Sequence, residues 1–102
     1  MSDIRQARRA LIARILDGDG TASLAQRRAA FNNTGAPGPL SALIDKVARH
    51  AYTVTDEDIS AVRATGLSED HIFDVVVCAA IGQATRQYDA ALAALEAVAG
   101  KE

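Results

Sequence analysis

The only cysteine of the chain, Cys78, lies inside an unbroken run of small and branched apolar residues, Val75 to Ile81. A reactive thiol must ionise, which requires a helix N-terminus or nearby positive charge. Cys78 would instead lie well inside a helix, and Asp74, one turn before it on the same face, would raise the pKa of the thiol. Gly82, one turn after it, would let a second helix approach closely. The pattern predicts a small buried thiol at a helix crossing.

Two histidines and a polar stretch near the C-terminus supply the other candidates for chemistry. His71 falls in a predicted first helical turn, where the positive helix end disfavours a charged imidazole. His50 could act as an acid or base, and Arg86 could hold the carboxylate of a small organic acid. Such a pocket would also be lined by neighbouring polar side chains, namely Gln83, Gln87 and Tyr88. We favour the alternative that these residues form the solvated or intersubunit face of a long helix.

The segment DGDGTASLAQRR, which begins at Asp17, has the alternating oxygens of a calcium-binding loop. That loop requires Gly at its sixth position and Glu at its twelfth, where this chain has Ala22 and Arg28. We therefore interpret the segment as a turn between two helices. The sequence predicts neither a metal site nor a cofactor.

Composition is that of an ordinary globular domain. The chain has 102 residues, of which 49% are hydrophobic and 24% charged, and this length suits one domain. A single cysteine cannot form an internal disulfide, which favours a cytoplasmic location. The longest uncharged run, Val75 to Thr85, is far shorter than the roughly 20 residues that span a bilayer. We expect no association with membranes.

Charge is distributed unevenly along the chain. Residues 1–34 carry six arginines against three aspartates, whereas residues 35–102 carry five basic and ten acidic groups. A basic N-terminal helix could bind nucleic acid, but the arginines lack interleaved aromatic residues and a docking motif. We therefore expect no nucleic-acid partner. The remaining alternatives are a solvated helix face and a helix lying on the acidic surface of a neighbouring subunit.

Helical periodicity and capping residues occur throughout, and no segment alternates as a strand does. A first helix follows Ser2 and Asp3 and ends at the DGDG turn, and a second, capped by Thr21 or Ser23, buries Leu24 and Phe31. A third begins after the NNTGAPGP break and runs over 40–51. Thr55 and Ser68 cap a fourth and a fifth, which end at Gly66 and at Gly100. The sequence predicts a single all-α domain over 1–102, a compact bundle of about five helices.

The predicted fifth helix would be about 48 Å long, more than the ~33 Å diameter of a compact chain of this size. It should therefore project beyond its own subunit or bend near Gly82. Its second half carries a narrow apolar seam spaced by threes and fours, as in paired helices: Ile81, Ala84, Tyr88, Ala91, Leu95 and Val98. We expect a stable homo-oligomer.

The stretch VTDEDISAVRATGLSEDHIFDVVVCAAIGQATRQYDAALAAL, with SALIDKVARHAY before it, resembles the C-terminal half of the alkylhydroperoxidase D-like and carboxymuconolactone decarboxylase superfamily. The resemblance lies in a Thr-capped acidic helix, a GLSEDHIFDVV restart and a long Ala-rich helix. It implies an all-α oligomer, with residues 39–99 as the superfamily-like core and residues 1–33 as an N-terminal helical arm.

Peroxide-defence members of that superfamily use a Cys-x-x-Cys pair followed by a His, and the corresponding stretch of this chain has no cysteine. One thiol cannot form and release a disulfide within a subunit, so we expect no thiol peroxidase or disulfide reductase activity. The leading hypothesis is a homo-oligomeric helical protein without the redox dithiol. The alternatives are a non-redox, decarboxylase-like enzyme acting on a small lactone or carboxylic acid, and a binding module that uses the basic N-terminal helix.

Overall fold

A computed structural model describes residues 2–36 and 38–100, and within them every regular element is helical. The helices are α1 (Ser2–Asp17), α2 (Leu24–Phe31), α3 (Gly38–His50), α4 (Asp56–Arg63) and α5 (Glu69–Ala99). A single 3-10 turn, Ala51–Thr53, follows α3. The predicted all-α bundle of five helices with a long C-terminal helix is confirmed.

Side-chain caps start three of the helices where the sequence predicts them. The Ser23 hydroxyl accepts a hydrogen bond from the backbone N–H of Gln26, and the Gln26 side chain accepts one from the Ser23 N–H. Thr55 and Asp58 form the same reciprocal pair at α4, and Ser68 caps α5 by accepting from the His71 N–H. Each cap pairs backbone donors that the first helical turn leaves without an internal partner.

The ends of the other elements differ slightly from the prediction. Ser2 already lies within α1, so the expected cap at Ser2 and Asp3 falls inside the helix. Helix α3 begins at Gly38 rather than at Leu40, with Pro39 in its first turn as expected. The turn after α4 is closed by Gly66, whose φ of 100° is readily adopted only by glycine. Pro37, the other proline of the predicted break, lies outside the described residues.

One apolar core joins all five helices. Its largest fully buried side chains come from α3, α4 and α5, namely Leu43, Val62, Val75 and Cys78. Leu16 of α1, Ala22 of the α1–α2 loop and Ala30 of α2 belong to the same cluster. The N-terminal third of the chain is thus packed into the core that the later helices form.

The burial predicted for α2 is wrong. Leu24 is 48% exposed and Phe31 is only partly buried, while Arg27 and Ala30 are the buried residues of this helix. With its sparse apolar residues, α2 has no clear apolar stripe of its own. Its inward face is set by its contact with α5, where the small side chain of Ala30 allows close packing.

Helix α5 organises the bundle, because α1, α2, α3 and α4 all pack against it. Arg8 contacts Asp89 and the Ile15 carbonyl contacts Cys78, so α1 runs antiparallel to α5. Helix α2 runs in the same direction as α5 and meets it at Gly82. A Cβ on Gly82 would overlap the carbonyl oxygen of Phe31 and lie 2.6 Å from its carbonyl carbon. The close helix approach predicted at Gly82 is confirmed.

The molecule is elongated, with extents of 55 × 28 × 20 Å and a Cα radius of gyration of 15.6 Å. A compact chain of this length has a radius of gyration near 13 Å. The 31 residues of α5 account for the difference, since they span about 46 Å. Leu95 and Val98 near its end are 68% and 63% exposed, as expected for a helix that projects beyond the body of the subunit.

Candidate functional site

Cys78 is a buried core residue, as the sequence predicts. Its side chain is 1% exposed and its thiol lies 3.5 Å from the backbone carbonyl oxygen of Ile15, to which it donates. Burial raises the pKa of the thiol above its ordinary value; the nearby Arg27 charge lowers it and Asp74 raises it. A thiol with these properties is a poor nucleophile near neutral pH, because the thiolate is the reactive form.

Next to Cys78, a buried arginine ties the α1–α2 loop to the bundle. Arg27 is 6% exposed; its Nε donates to the Ala22 carbonyl at 2.9 Å and its Nη1 to the Gly18 carbonyl at 2.6 Å. Asp74 of α5 accepts from the backbone N–H groups of Thr21 and Ala22, at 2.6 and 3.1 Å. This arrangement satisfies the polar groups of a sharp turn and contains no free reactive group.

Of the alternatives for the N-terminal arginines, a solvated helix face does not describe Arg27. A buried charge is tolerated only when hydrogen bonds and an opposite charge compensate for the loss of water. The carbonyl groups that bind Arg27 are backbone atoms, and the nearby carboxylate, Asp74, lies on a different helix. The periodicity of α2 therefore does not predict either of them. The one local indication of this contact in the sequence is that Arg27 follows Ala22 by five residues, shortly after the helix start that Ser23 caps.

An open groove of about 510 Å³ runs between α1 and the first half of α5, above Cys78. Its walls include Leu11, Phe73 and Val77, and its polar rim includes Arg14 and Asp19. Leu11 and Phe73 are 47% and 58% exposed. The groove is a surface where large apolar side chains face solvent, and it suits an apolar partner surface better than a polar small molecule.

A second open groove, of about 380 Å³, contains two of the predicted site residues, Arg86 and Gln83. Arg86 donates to the Phe31 carbonyl oxygen at 2.5 Å and to the Gln83 side-chain oxygen at 2.9 Å. Its guanidinium thereby caps the C-terminal end of α2, just beyond the Gly82 crossing. Asn32, Asn33 and Arg49 complete the lining, and sequence analysis did not include them.

The structure does not bring the other predicted site residues to this groove. His50 is exposed at the end of α3, and its ring meets Tyr52 edge to face at 6.0 Å. Tyr88 lies beneath the Arg8 guanidinium, 4.6 Å from its ring centre, and Gln87 is exposed. The groove is therefore lined by arginine and amide side chains, none of which exchanges protons readily near neutral pH.

The described residues include no group of three or more His, Cys, Asp or Glu side chains placed to hold a metal ion. His71, the second histidine, is half-buried in the first turn of α5. Across 2–36 and 38–100, none of the helices combines the length and apolarity needed to cross a membrane.

Comparisons of the chain with protein-family models, with curated proteins and with solved structures find no match. The resemblance to the alkylhydroperoxidase D-like and carboxymuconolactone decarboxylase superfamily stays a prediction.

Proposed function

We propose that this protein is a small homo-oligomeric helical protein, similar to the alkylhydroperoxidase D-like and carboxymuconolactone decarboxylase superfamily but without its thiol chemistry. The observation that carries the proposal is an apolar stripe along α5 whose residues are exposed or only partly buried. Its residues are spaced by threes and fours and so share one face of the helix: Phe73, Val77, Ala80, Ile81, Ala84, Tyr88, Ala91, Leu95 and Val98.

This stripe is continuous with apolar side chains of α1, since Leu11 shares a groove with Phe73 and Val77. Ile4, two helical turns before Leu11 on the same face of α1, is 56% exposed. Exposed apolar surface of this extent is typical of protein interfaces. In the proposed assembly, the contact would therefore extend from the second half of α5 into its first half and onto α1.

A second copy of the chain suits this face because an apolar stripe along a helix is complementary to itself. A twofold axis brings the same surface of each copy together, and two helices can pair through apolar residues spaced by threes and fours. We therefore propose that the stripe of one copy packs against the stripe of another.

Thiol redox chemistry has no support in this arrangement. Cys78 is the only cysteine, and its burial beneath α1 separates it from solvent and from a second copy's thiol. A dithiol mechanism needs two sulfur atoms that can reach each other within bonding distance. We therefore keep the absence of peroxidase and disulfide reductase activity as part of the proposal.

The two alternative functions have weaker support. A decarboxylase-like enzyme using His50 and Arg86 would need both groups in one site, and His50 does not line the Arg86 groove.

Nucleic-acid binding by the N-terminal segment would rely on Arg5, Arg9 and Arg14. Arg8 and Arg28 form ion pairs with Asp89 and Asp17, and Arg27 is buried.

The proposal is tested by measuring the mass of the protein at micromolar concentration with light scattering coupled to size exclusion. We expect a multiple of the 10.7 kDa chain mass for the natural sequence. Leu95→Glu, near the exposed C-terminal end of the seam, should shift the mass towards that of the monomer. Leu24→Glu is the matched control, because Leu24 is also an exposed leucine but lies on α2, away from the stripe.

A monomer at this concentration would contradict the proposal. So would a Leu95→Glu variant that keeps the mass of the natural protein. An equal loss of mass in the Leu24→Glu control would assign the effect to lost folding rather than to the α5 stripe, and circular dichroism of both variants separates these outcomes.

A further inference from the structure

The polar groove between α2, α3 and α5 combines hydrogen-bond donors from three elements that are far apart in sequence. Asn32 and Asn33 come from the end of α2, Arg49 from the last turn of α3, and Gln83 and Arg86 from the middle of α5. We infer that this groove binds a small oxyanion, the carboxylate or phosphate group of a low-molecular-weight ligand. The inference does not rest on the proposed assembly, because the α5 stripe and the groove are separate surfaces.

The Gly82 crossing is what positions Arg86. Because α2 and α5 touch backbone to backbone at Phe31 and Gly82, the side chain one turn further along α5 lies directly beneath the end of α2. Arg86 uses one N–H of each terminal nitrogen for the Phe31 carbonyl and the Gln83 side chain. A guanidinium has five N–H groups, so three remain for a ligand. Its two internal bonds hold the group in one orientation before any ligand arrives.

Arg49 is positioned in a similar way from the opposite side. Its Nε lies 2.9 Å from an oxygen of Asp45, and the same oxygen accepts from the Asn33 side-chain nitrogen at 3.2 Å. Asp45 does not line the groove, but it orients two residues that do. Pairing through Nε leaves the terminal nitrogens of Arg49 for another acceptor. Asn33 has a φ of 54°, a left-handed conformation that asparagine tolerates better than most residues and that turns the chain at the groove edge.

The charge and the hydrogen-bonding capacity of the lining favour an anion. Of the described residues that line the groove, two carry guanidinium groups, three carry amides and none carries a carboxylate. The Asp45 carboxylate, outside the lining, offsets the charge of Arg49 but not that of Arg86. The N–H groups of a planar guanidinium match the spacing of two oxygens in a carboxylate or phosphate. The two groups can therefore form a pair of parallel charge-assisted hydrogen bonds, which are among the strong hydrogen bonds of proteins. A volume of about 380 Å³ suits a small organic acid or phosphate ester.

The same lining argues for binding without turnover. Arginine, asparagine and glutamine side chains neither accept nor release protons near neutral pH, so the groove holds no general acid or base. Both arginines are solvent-exposed, so screening by salt should weaken the attraction. We expect modest affinity that falls as ionic strength rises.

The test is a nuclear magnetic resonance titration of the full chain with succinate and, separately, with inorganic phosphate, at constant ionic strength. We expect saturable shifts of the side-chain amide signals of Asn33 and Gln83. Arg49→Gln should weaken binding about tenfold, the usual consequence of losing one charge-assisted contact. Arg86→Lys, which keeps the charge but loses the planar group, should also weaken it.

Arg63→Gln is the matched control. Arg63, like Arg49, is an exposed arginine in a single ion pair, here with Glu69 at 3.1 Å, and its loss changes the net charge by the same amount. We expect it to leave binding unchanged. Saturation by only one of the two anions would support the site and identify the class of its ligand.

Absence of saturable shifts with both anions would overturn the inference, as would equal weakening by Arg49→Gln and Arg63→Gln. The assembly proposal is tested separately by the molecular mass of the Arg49→Gln variant. This mass should equal that of the natural protein whether or not the anion binds, because Arg49 lies outside the α5 stripe.

Discussion

Arg27 illustrates how a single residue can have a role opposite to the usual one of its type. Arginine on a short helix is normally solvated, but here the side chain crosses the α1–α2 turn and pairs with its carbonyl groups. Asp74 binds the backbone N–H groups of the same turn from the other helix. Together they satisfy donors and acceptors that a buried turn would otherwise leave without partners, which is costly.

We predict that Arg27→Gln lowers the free energy of unfolding by about 3 kcal/mol, because it leaves the carbonyl groups of the buried turn without their charged donor. Arg28→Gln is the control, one residue along the same helix. Arg28 and Asp17 form an ion pair whose side chains are more than half exposed, so its loss should cost at most about 1 kcal/mol. Urea unfolding of the two variants measures the difference. Similar values for both would mean that the Arg27 contacts do not stabilise the turn.

Asp58 introduces a pH dependence at the start of α4. The Lys46 ammonium group, 2.9 Å from the Asp58 carboxylate, and the Thr55 backbone N–H hold the pKa of that carboxyl below its ordinary value of 3.8. A carboxyl whose pKa is lower in the folded state stabilises the fold above its unfolded pKa. This contribution is lost as the pH falls below 3.8 and through the folded pKa.

We therefore predict that Asp58→Asn lowers the melting temperature at pH 7 and that the difference from the natural protein narrows as the pH falls below 3.8. Asp56→Asn is the control, since Asp56 lies in the same helical turn and forms no ion pair among the described residues. Thermal unfolding followed by circular dichroism measures both. A difference that stays constant with pH would show that the Lys46 contact does not act through the charge of Asp58.

At the scale of elements, the crossing of α2 and α5 at Gly82 decides how the bundle is packed. Backbone contact at this point brings the Phe31 carbonyl to Arg86 and lets Ala30 reach the core. A glycine inside a helix costs about 1 kcal/mol relative to alanine in helix propensity. The chain retains it here because any side chain would force the two helices apart.

We predict that Gly82→Ala destabilises the protein by about 3 kcal/mol despite the gain in helix propensity, because the new Cβ would overlap backbone atoms of Phe31. The opposite exchange, Ala90→Gly, changes an exposed position of the same helix outside the apolar stripe and should cost only about 1 kcal/mol. Chemical unfolding of the two variants provides the comparison. A Gly82→Ala variant as stable as the natural protein would mean that α2 can move away without loss.

At the scale of the whole molecule, the length of α5 separates a packed body from an exposed extension. The first half of the helix supplies its buried residues, which are Ile72, Val75, Cys78, Ala79 and Gly82, whereas from Ala93 onwards each described residue is exposed. A helix end that packs on nothing gains little from the core. In the proposed assembly, contact with a second copy would stabilise this extension.

We predict that the melting temperature rises with protein concentration over about a hundredfold range, because association stabilises only the folded state. For Leu95→Glu, which removes an apolar contact of the seam, the melting temperature should not vary with concentration. Differential scanning calorimetry at several concentrations measures both. A melting temperature of the natural protein that is independent of concentration would contradict folding coupled to assembly.

The helices could be predicted from the sequence, because the signals for them are local. Ser23, Thr55 and Ser68 cap helices within three residues of themselves, and Gly100 caps the end of α5. Helix α4 ends at Arg63, three residues before the predicted stop at Gly66, which instead closes the turn that follows. Burial of Cys78 and the close approach at Gly82 were also predictable, since small apolar residues at helical spacing have few other uses. These features depend on residues within a few turns of one another.

Which polar residues meet depends on how the helices pack, and the sequence did not predict it. Thr21 with Asp74, Arg8 with Asp89, and Arg49 with Arg86 are separated by dozens of residues, and each pair is brought together by the angle and direction of packed helices. The same packing placed His50 away from Arg86 and left Leu24 exposed. Periodicity specifies the face of each helix, but not which neighbouring helix covers it, because many helix arrangements bury the same faces.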